Sequence, residues 1–219
     1  MADPSLDLSV YLVTDAVQCR RLGLVETVVA AIRGGVTAVQ LRDKQATDSE
    51  LIRQGRELLR HMSGSGIPLI VNDRLDVAAE IGADGVHVGQ ADAAARQVRE
   101  RLGANAVVGL SVQTLEHAQA VDSILVDYVG VGPVFATRTK PDHARPLGFC
   151  GLADVCAASP VPAVAIGGLR AEHVAAVWSA GAVGVALVSA ICSAADPEQA
   201  ARAVADVSRR VRAAAGVQA

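Results

Sequence analysis

Gln40, Arg42 and Lys44 alternate through the segment QLRDK. In an extended chain that spacing turns all three side chains to one side while Leu41 and Asp43 face the other. An amide and two cations converging on one point are costly to desolvate unless a partner is present, and a polyanion is a partner they suit. Arg can grip phosphate oxygens through two parallel hydrogen bonds, and Lys adds a point charge. A solvated strand end with surface charges is the alternative.

Asn72-Asp73-Arg74 and the stretch from His87 through Gln90 to Asp92 each bring a carboxylate just past an apolar run. Two carboxylates, diphosphate oxygens and water suit Mg²⁺, which seldom has an all-protein cage. The spacing also allows Asp73 and Asp92 to cap the helices that follow, the second from about Ala93. His87 lies inside an apolar run and reads as a hydrogen-bonded interior histidine, ahead of a metal ligand or base. Ser111 is a candidate donor to phosphate; no histidine or acid stands beside it to suggest a nucleophile. Thr114 reads as a helix N-cap with Glu116 and His117 in the first turn. Asp15, Asp76 and Asp84 read as structural or stay unassigned.

The stretch VGPVFATRTK (131–140) opens like a buried strand and ends in the hydroxyls of Thr137 and Thr139 and the charge of Lys140. The loop from Arg138 to Leu147, with Pro141 and Pro146, is expected to close over a ligand and exclude water. Gly167-Gly168 and Val188-Ser189-Ala190 offer backbone N–H groups for a phosphate, the two glycines by letting the main chain approach closely. A phosphate here and a diphosphate near Arg42 would mean two phosphorylated substrates.

These residues need elements to position them. Apolar runs recur at 9–14, 37–41, 68–72, 84–88, 106–110, 127–131, 162–166 and 182–188, short and rich in Val and Ile as strands are. Helical spacing lies between them, as in Leu24, Val28, Ala31 and Ile32, and a last helix is expected from about Pro197 to Ala214. Eight strand–helix units over residues 1–219 predict a single-domain α/β fold, a (β/α)8 barrel, whose chemistry sits at the carboxyl ends of the strands. An open doubly wound sheet is the alternative. It calls for a GxGxxG loop after the first strand, and TDAVQCRRLG has none.

Hydrophobic residues make up 51% of the 219 and aromatics only 2%, so Ala, Val, Leu and Ile must build the core, as in a parallel sheet buried on both faces. The net charge of −3 argues against a nucleic-acid or anionic-membrane binder. Val174 to Ala195 carries no charge, but its serines and glycines suit a helix end, a turn at Ala180-Gly181, a strand and a loop better than a membrane span. Cys19, Cys150, Cys156 and Cys192 form no CxxC and read as reduced thiols of a cytoplasmic protein. MADPSLDLS lacks the basic region of a signal peptide.

With these residues in view, the chain resembles the thiamine-phosphate synthase family along nearly its whole length. The matching motifs are YLVTD (11–15), QLRDK (40–44), VNDR (71–74), DGVHVGQAD (84–92), DYVGVGPVFATRTK (127–140), AIGGL (165–169) and GVALVSAI (184–191). The resemblance implies a Mg²⁺-assisted transferase that condenses a hydroxymethylpyrimidine diphosphate with a thiazole phosphate and releases pyrophosphate. It implies that Gln40, Arg42, Lys44, Asn72, Ser111 and Lys140 handle the pyrimidine diphosphate, with Arg42, Lys44, Ser111 and Lys140 as the catalytic set. Asp73 and Asp92 would hold Mg²⁺, and Thr137, Thr139, Gly168, Val188 and Ser189 the thiazole phosphate. The implied partners are small phosphorylated molecules, with homo-oligomerisation left open. Two departures stand out. The family often has Ser-x-His where this chain has Ser111-Val112-Gln113, and an acidic or proline-bearing turn where Ala93-Ala94 follows Asp92. A sister group isomerises the thiazole with a histidine at the position of Gln113, and glutamine cannot replace that acid/base. A thiazole isomerase and a non-catalytic phosphate-ligand barrel are the alternative readings.

Overall fold

Each apolar run forms one parallel strand, and the strands close on themselves in chain order. The computed structural model describes residues 6–90, 92–137, 139 and 145–216, the side chains of 92–94 excepted. The strands are β1 (Val10–Val13), β2 (Ala38–Leu41), β3 (Leu69–Asn72), β4 (Gly85–Val88), β5 (Val107–Val112), β6 (Tyr128–Val131), β7 (Ala163–Ile166) and β8 (Gly184–Leu187). The helices are α1 (Leu24–Arg33), α2 (Asp48–Met62), α3 (Leu75–Ile81), α4 (Asp92–Leu102), α5 (Leu115–Gln119), α6 (Gly148–Ala158), α7 (Val174–Ser179), α8 (Ser189–Cys192) and α9 (Pro197–Ala214). The order β1 to β8 closes through a β1–β8 pair, so the sheet is a barrel and the open-sheet alternative falls.

Alternation along the strands divides the core into two layers. Tyr11, Val13, Ala38, Ile70, Tyr128, Val164 and Ala186 pack inside the barrel. Leu12, Val39, Leu41, Val71, Val86 and Val185 face outward against the helices. Burial on both faces explains why the strands read as continuous apolar runs. The helices start where local chemistry allows: Thr47 and Glu50 form a capping box on α2, and Asp196 caps α9 with Pro197 in its first turn. The ends of α1 and α9 meet closely. A Cβ on Gly34 would lie 2.3 Å from the Glu198 carbonyl oxygen, so a side chain there has no room.

The amino ends of the strands are tied by polar side chains. Thr37 Oγ1 accepts from Val10 N (3.1 Å), Asp84 from Leu69 N (2.7 Å) and Asp127 from Val108 N (2.7 Å). In each case the residue just before one strand satisfies an N–H at the start of the strand before it, the first residue in β1 and β3 and the second in β5, so Asp84 is structural. Asp15 is structural as well, accepting from Gln18 N at the start of the 3₁₀ turn Gln18–Arg21.

Val174 to Ala195 folds as α7, a turn at Ala180-Gly181, β8 and α8, and among the described residues no helix is long and apolar enough to cross a membrane. Boundaries differ from the sequence reading in two places that matter. β5 continues to Val112, because Ser111 and Val112 pair with Gly130 and Val131 of β6 although the apolar run ends earlier. Helix α4 starts at Asp92 itself.

Candidate active site

Strand β2 leaves the barrel under the control of Thr14, which is fully buried. Thr14 N donates to the Gln40 carbonyl (2.9 Å), and Arg42 N donates to Thr14 Oγ1 (2.9 Å). The extended run therefore continues past its last ladder residue, and Gln40, Arg42 and Lys44 all line one pocket at the carboxyl end of the barrel. Asp43 turns the other way and accepts from Gln45 N (2.9 Å) and Ala46 N (3.2 Å). The two cations differ in company. Lys44 Nζ lies 3.3 Å from Asp73 Oδ2, whereas the Arg42 guanidinium has no side-chain partner among the described residues.

Asp73 has φ of +59°, the only non-glycine residue in the left-handed region among those described. Arg74 N donates to the Asn72 carbonyl (2.7 Å), closing a tight turn around Asp73 that aims its carboxylate into the pocket. Such a conformation costs of order 1 kcal/mol or more and concentrates at functional sites. The helix-cap alternative for Asp73 is not realised: Arg74 occupies that position on α3, and no side chain caps the helix. Asp73 Oδ2 instead accepts from Asn72 Nδ2 (2.8 Å) beside Lys44.

The pocket floor is a chain of hydrogen bonds. Gln40 Nε2 donates to Tyr11 OH (3.0 Å), which meets Tyr128 OH (2.8 Å). Tyr128 OH meets His87 Nδ1 (3.0 Å), and His87 Nε2 meets Ser111 Oγ (3.0 Å). His87 is thus a hydrogen-bonded interior histidine, as its sequence context suggested. Burial pushes the Tyr11 phenol up to about 12 and the Tyr128 phenol well above its ordinary value, so both stay protonated.

Loops after β6, β7 and β8 make the opposite wall. Thr139 N donates to Thr137 Oγ1 (3.2 Å), and Gln18 Nε2 donates to Thr139 Oγ1 (3.2 Å) while its Oε1 accepts from Ser193 Oγ (2.8 Å). Gly167 and Gly168 both have positive φ, and a Cβ on either would lie within 3 Å of Pro133 or Phe135 in the neighbouring loop. The glycines are required by this loop-to-loop contact first. They still border the pocket, as do Val188 and Ser189 at the start of α8.

One cavity of about 300 Å³ therefore gathers the candidates from six strand ends. Gln40, Arg42, Lys44, Asn72, Asp73 and Ser111 stand on its β2–β5 side, and Thr137, Thr139, Gly168, Val188 and Ser189 on its β6–β8 side. Lys140, Arg138 and most of the loop between them and Leu147 lie outside the described residues, as does the side chain of Asp92. Gln113 does border the pocket, so the position that departs from Ser-x-His faces the ligand space with an amide. The sequence reading left Tyr11, Tyr128 and Gln18 without a role. The two tyrosines carried a signal: they are the only ones in the chain, and both sit inside apolar runs.

The donor set suits Mg²⁺ in its usual manner of one or two carboxylates completed by phosphate oxygens and water. Asp73 offers a partly exposed carboxylate, held by Asn72 and Lys44 through one oxygen, next to the pocket that bears Arg42.

Comparison with known proteins gives a consistent result. The family profile described as thiamine monophosphate synthase matches residues 10–191. The thiamine-phosphate synthase of Psychrobacter sp. is 49% identical over 197 residues, covering 89% of this chain and 92% of that one. That of Xanthobacter autotrophicus is 50% identical over 198 residues, 90% and 94% of the two chains. Among solved structures, thiamine phosphate pyrophosphorylase from Pyrococcus furiosus superposes with a TM-score of 0.84 at 33% identity, covering 95% of this chain and 99% of its own. A 3-hexulose-6-phosphate synthase, at 19% identity and a TM-score of 0.65, shares the barrel alone.

Proposed function

The chain belongs to the thiamine monophosphate synthase family, and from that premise we propose that the pocket at the carboxyl end of its barrel joins a hydroxymethylpyrimidine diphosphate to a thiazole phosphate. The activity is that of a thiamine-phosphate synthase, a transferase. The observation that carries the site reading is Arg42: a guanidinium without a side-chain partner among the described residues, in a half-enclosed pocket beside Lys44, suits a bound polyanion.

In this reading the bond between the pyrimidine methylene carbon and the diphosphate oxygen breaks first, its electron pair leaving with the diphosphate. The thiazole nitrogen then gives its lone pair to the methylene carbon, and pyrophosphate departs. Arg42, Lys44 and Lys140 would stabilise the charge that grows on the leaving group, and Ser111 would donate a hydrogen bond to it. Asn72 would hold Asp73 in place, and Gln40 would meet the pyrimidine portion. On the other wall, Thr137, Thr139 and the backbone of Gly168, Val188 and Ser189 would hold the thiazole phosphate, so that the two reacting atoms are kept together. Asp73 and Asp92 would hold Mg²⁺, which supplies further charge neutralisation at the diphosphate. An isomerase would want an acid/base at position 113, and the amide of Gln113 in the pocket disfavours it. Four free thiols accord with a reducing, cytoplasmic compartment.

The test is a mixing assay: purified protein, pyrimidine diphosphate and thiazole phosphate, with and without Mg²⁺, followed for thiamine phosphate and pyrophosphate. Metal-dependent formation of both products is expected. Tight binding without pyrophosphate release would reduce the chain to a ligand-binding barrel.

A further inference from the structure

The hydrogen-bonded chain on the pocket floor does more than fill the barrel. Its members come from β2, β1, β6, β4 and β5 in the order Gln40, Tyr11, Tyr128, His87, Ser111, so it exists only once the barrel is closed. The barrel also makes room for it. A Cβ on Gly109 would lie 2.4 Å from His87 Nδ1 and from Tyr128 OH, on top of the bond they share, and one on Gly130 would lie 3.0 Å from His87 Cε1.

Hydroxyls and a neutral imidazole can pass hydrogens along such a chain in either direction. In one direction each group donates toward Ser111; in the other, each donates toward Gln40. The ends decide between them. At the far end Gln40 Nε2 can only donate, so Tyr11 accepts there and its own hydrogen is directed at Tyr128. At the near end a phosphate oxygen can only accept, so Ser111 must donate to it and use its own oxygen to accept from His87. Both ends demand the same polarity, and the two buried phenols keep the hydrogens it needs.

We propose that Tyr11, Tyr128 and His87 are positioning residues that polarise this chain from Gln40 to Ser111, holding His87 as its Nε2–H tautomer so that Ser111 presents its hydroxyl hydrogen to the diphosphate. The opposite polarity would spend that hydrogen on His87 and turn lone pairs toward an anion. The inference rests on the diphosphate reading of the pocket.

Two-bond proton–nitrogen correlation spectra of ¹⁵N-histidine-labelled protein, with inorganic pyrophosphate and Mg²⁺ bound, report the tautomer directly; the signals lost in His87→Gln assign the ring. The expected result is protonated Nε2 and bare Nδ1. In Tyr128→Phe, which removes the donor to Nδ1, the Nε2–H tautomer should no longer be the sole form. Turnover should fall roughly tenfold to hundredfold as Ser111 loses its fixed orientation, with KM for the thiazole phosphate unchanged. A wild-type Nδ1–H tautomer or an imidazolium would overturn the polarity, and that measurement needs no variant to fold. A Tyr128→Phe protein with an unaltered tautomer and turnover would overturn it as well. Absence of pyrophosphate binding would sink the diphosphate reading and this inference with it. Binding together with the wrong tautomer would sink the inference alone.

Discussion

Arg42 and Lys44 stand two residues apart on one strand end yet meet different surroundings. Lys44 shares the Asp73 carboxylate, whereas Arg42 keeps its guanidinium without a side-chain partner among the described residues. Arg42→Ala should therefore lower kcat/KM by roughly 100- to 1000-fold, the scale of losing one positioned donor to developing charge, while circular dichroism and melting temperature stay unchanged. Arg42→Lys should recover only part of the loss, since a point charge lacks the two-pronged grip. Asp73 allows a cleaner separation of shape from charge. Asparagine tolerates the same left-handed conformation, so Asp73→Asn should melt within a few degrees of the parent yet lose turnover by roughly 100-fold or more. An Asp73→Asn protein with near-parental rates would mean that the strained turn serves folding only. At this scale the residue types at the strand ends were legible from alternation. The φ of Asp73 was not, because the turn is imposed by bonds such as Asp73 N to the His87 carbonyl, made on a neighbouring strand.

Elements show the same division. Strand positions followed from apolar runs, and α9 was bounded by its own signals, Asp196 and Pro197. The end of β5 escaped because Ser111 interrupts its apolar run, while pairing with β6 carries the strand on to the buried Val112. Element packing also carries a titratable tie. Asp7, ahead of β1, meets Arg212 of α9 at 2.7 Å and accepts from Ser9 N (2.8 Å). Burial pushes the Asp7 carboxyl upward, but the bonds from Ser9 and Arg212 outweigh it and hold the group below its ordinary 3.8. A carboxyl depressed in the folded state contributes stability above its unfolded value and loses it as pH falls through the folded one. Melting curves of the parent should thus drop between pH 5 and pH 3 more steeply than those of Asp7→Asn. Equal slopes would show that the tie adds nothing to folding.

For the whole molecule, closure matters most. The barrel sets Arg42 and Lys44 on one wall and Gly168 and Ser189 on the other, so a ligand that spans β2 to β5 braces half of the structure. Pyrophosphate with Mg²⁺ at about 100 times its Kd should stabilise the fold by about 2.7 kcal/mol and raise the melting temperature by roughly 5 to 10 °C. Arg42→Ala should abolish most of that rise. A rise that persists in Arg42→Ala would move the anion elsewhere in the pocket.

The sequence by itself determined the number and order of the strands, a core built mainly of Ala, Val, Leu and Ile, and most of the residues that stand at the strand ends. These follow from periodicity and capping, which involve neighbours along the chain. Only the tertiary structure decided that Tyr11 meets Tyr128, 117 residues away, that His87 joins them to Ser111, and that Gly109 and Gly130 leave space for the link. Those contacts depend on the register and closure of eight strands. No local pattern encodes them, because each partner sees the other only after the barrel has shut.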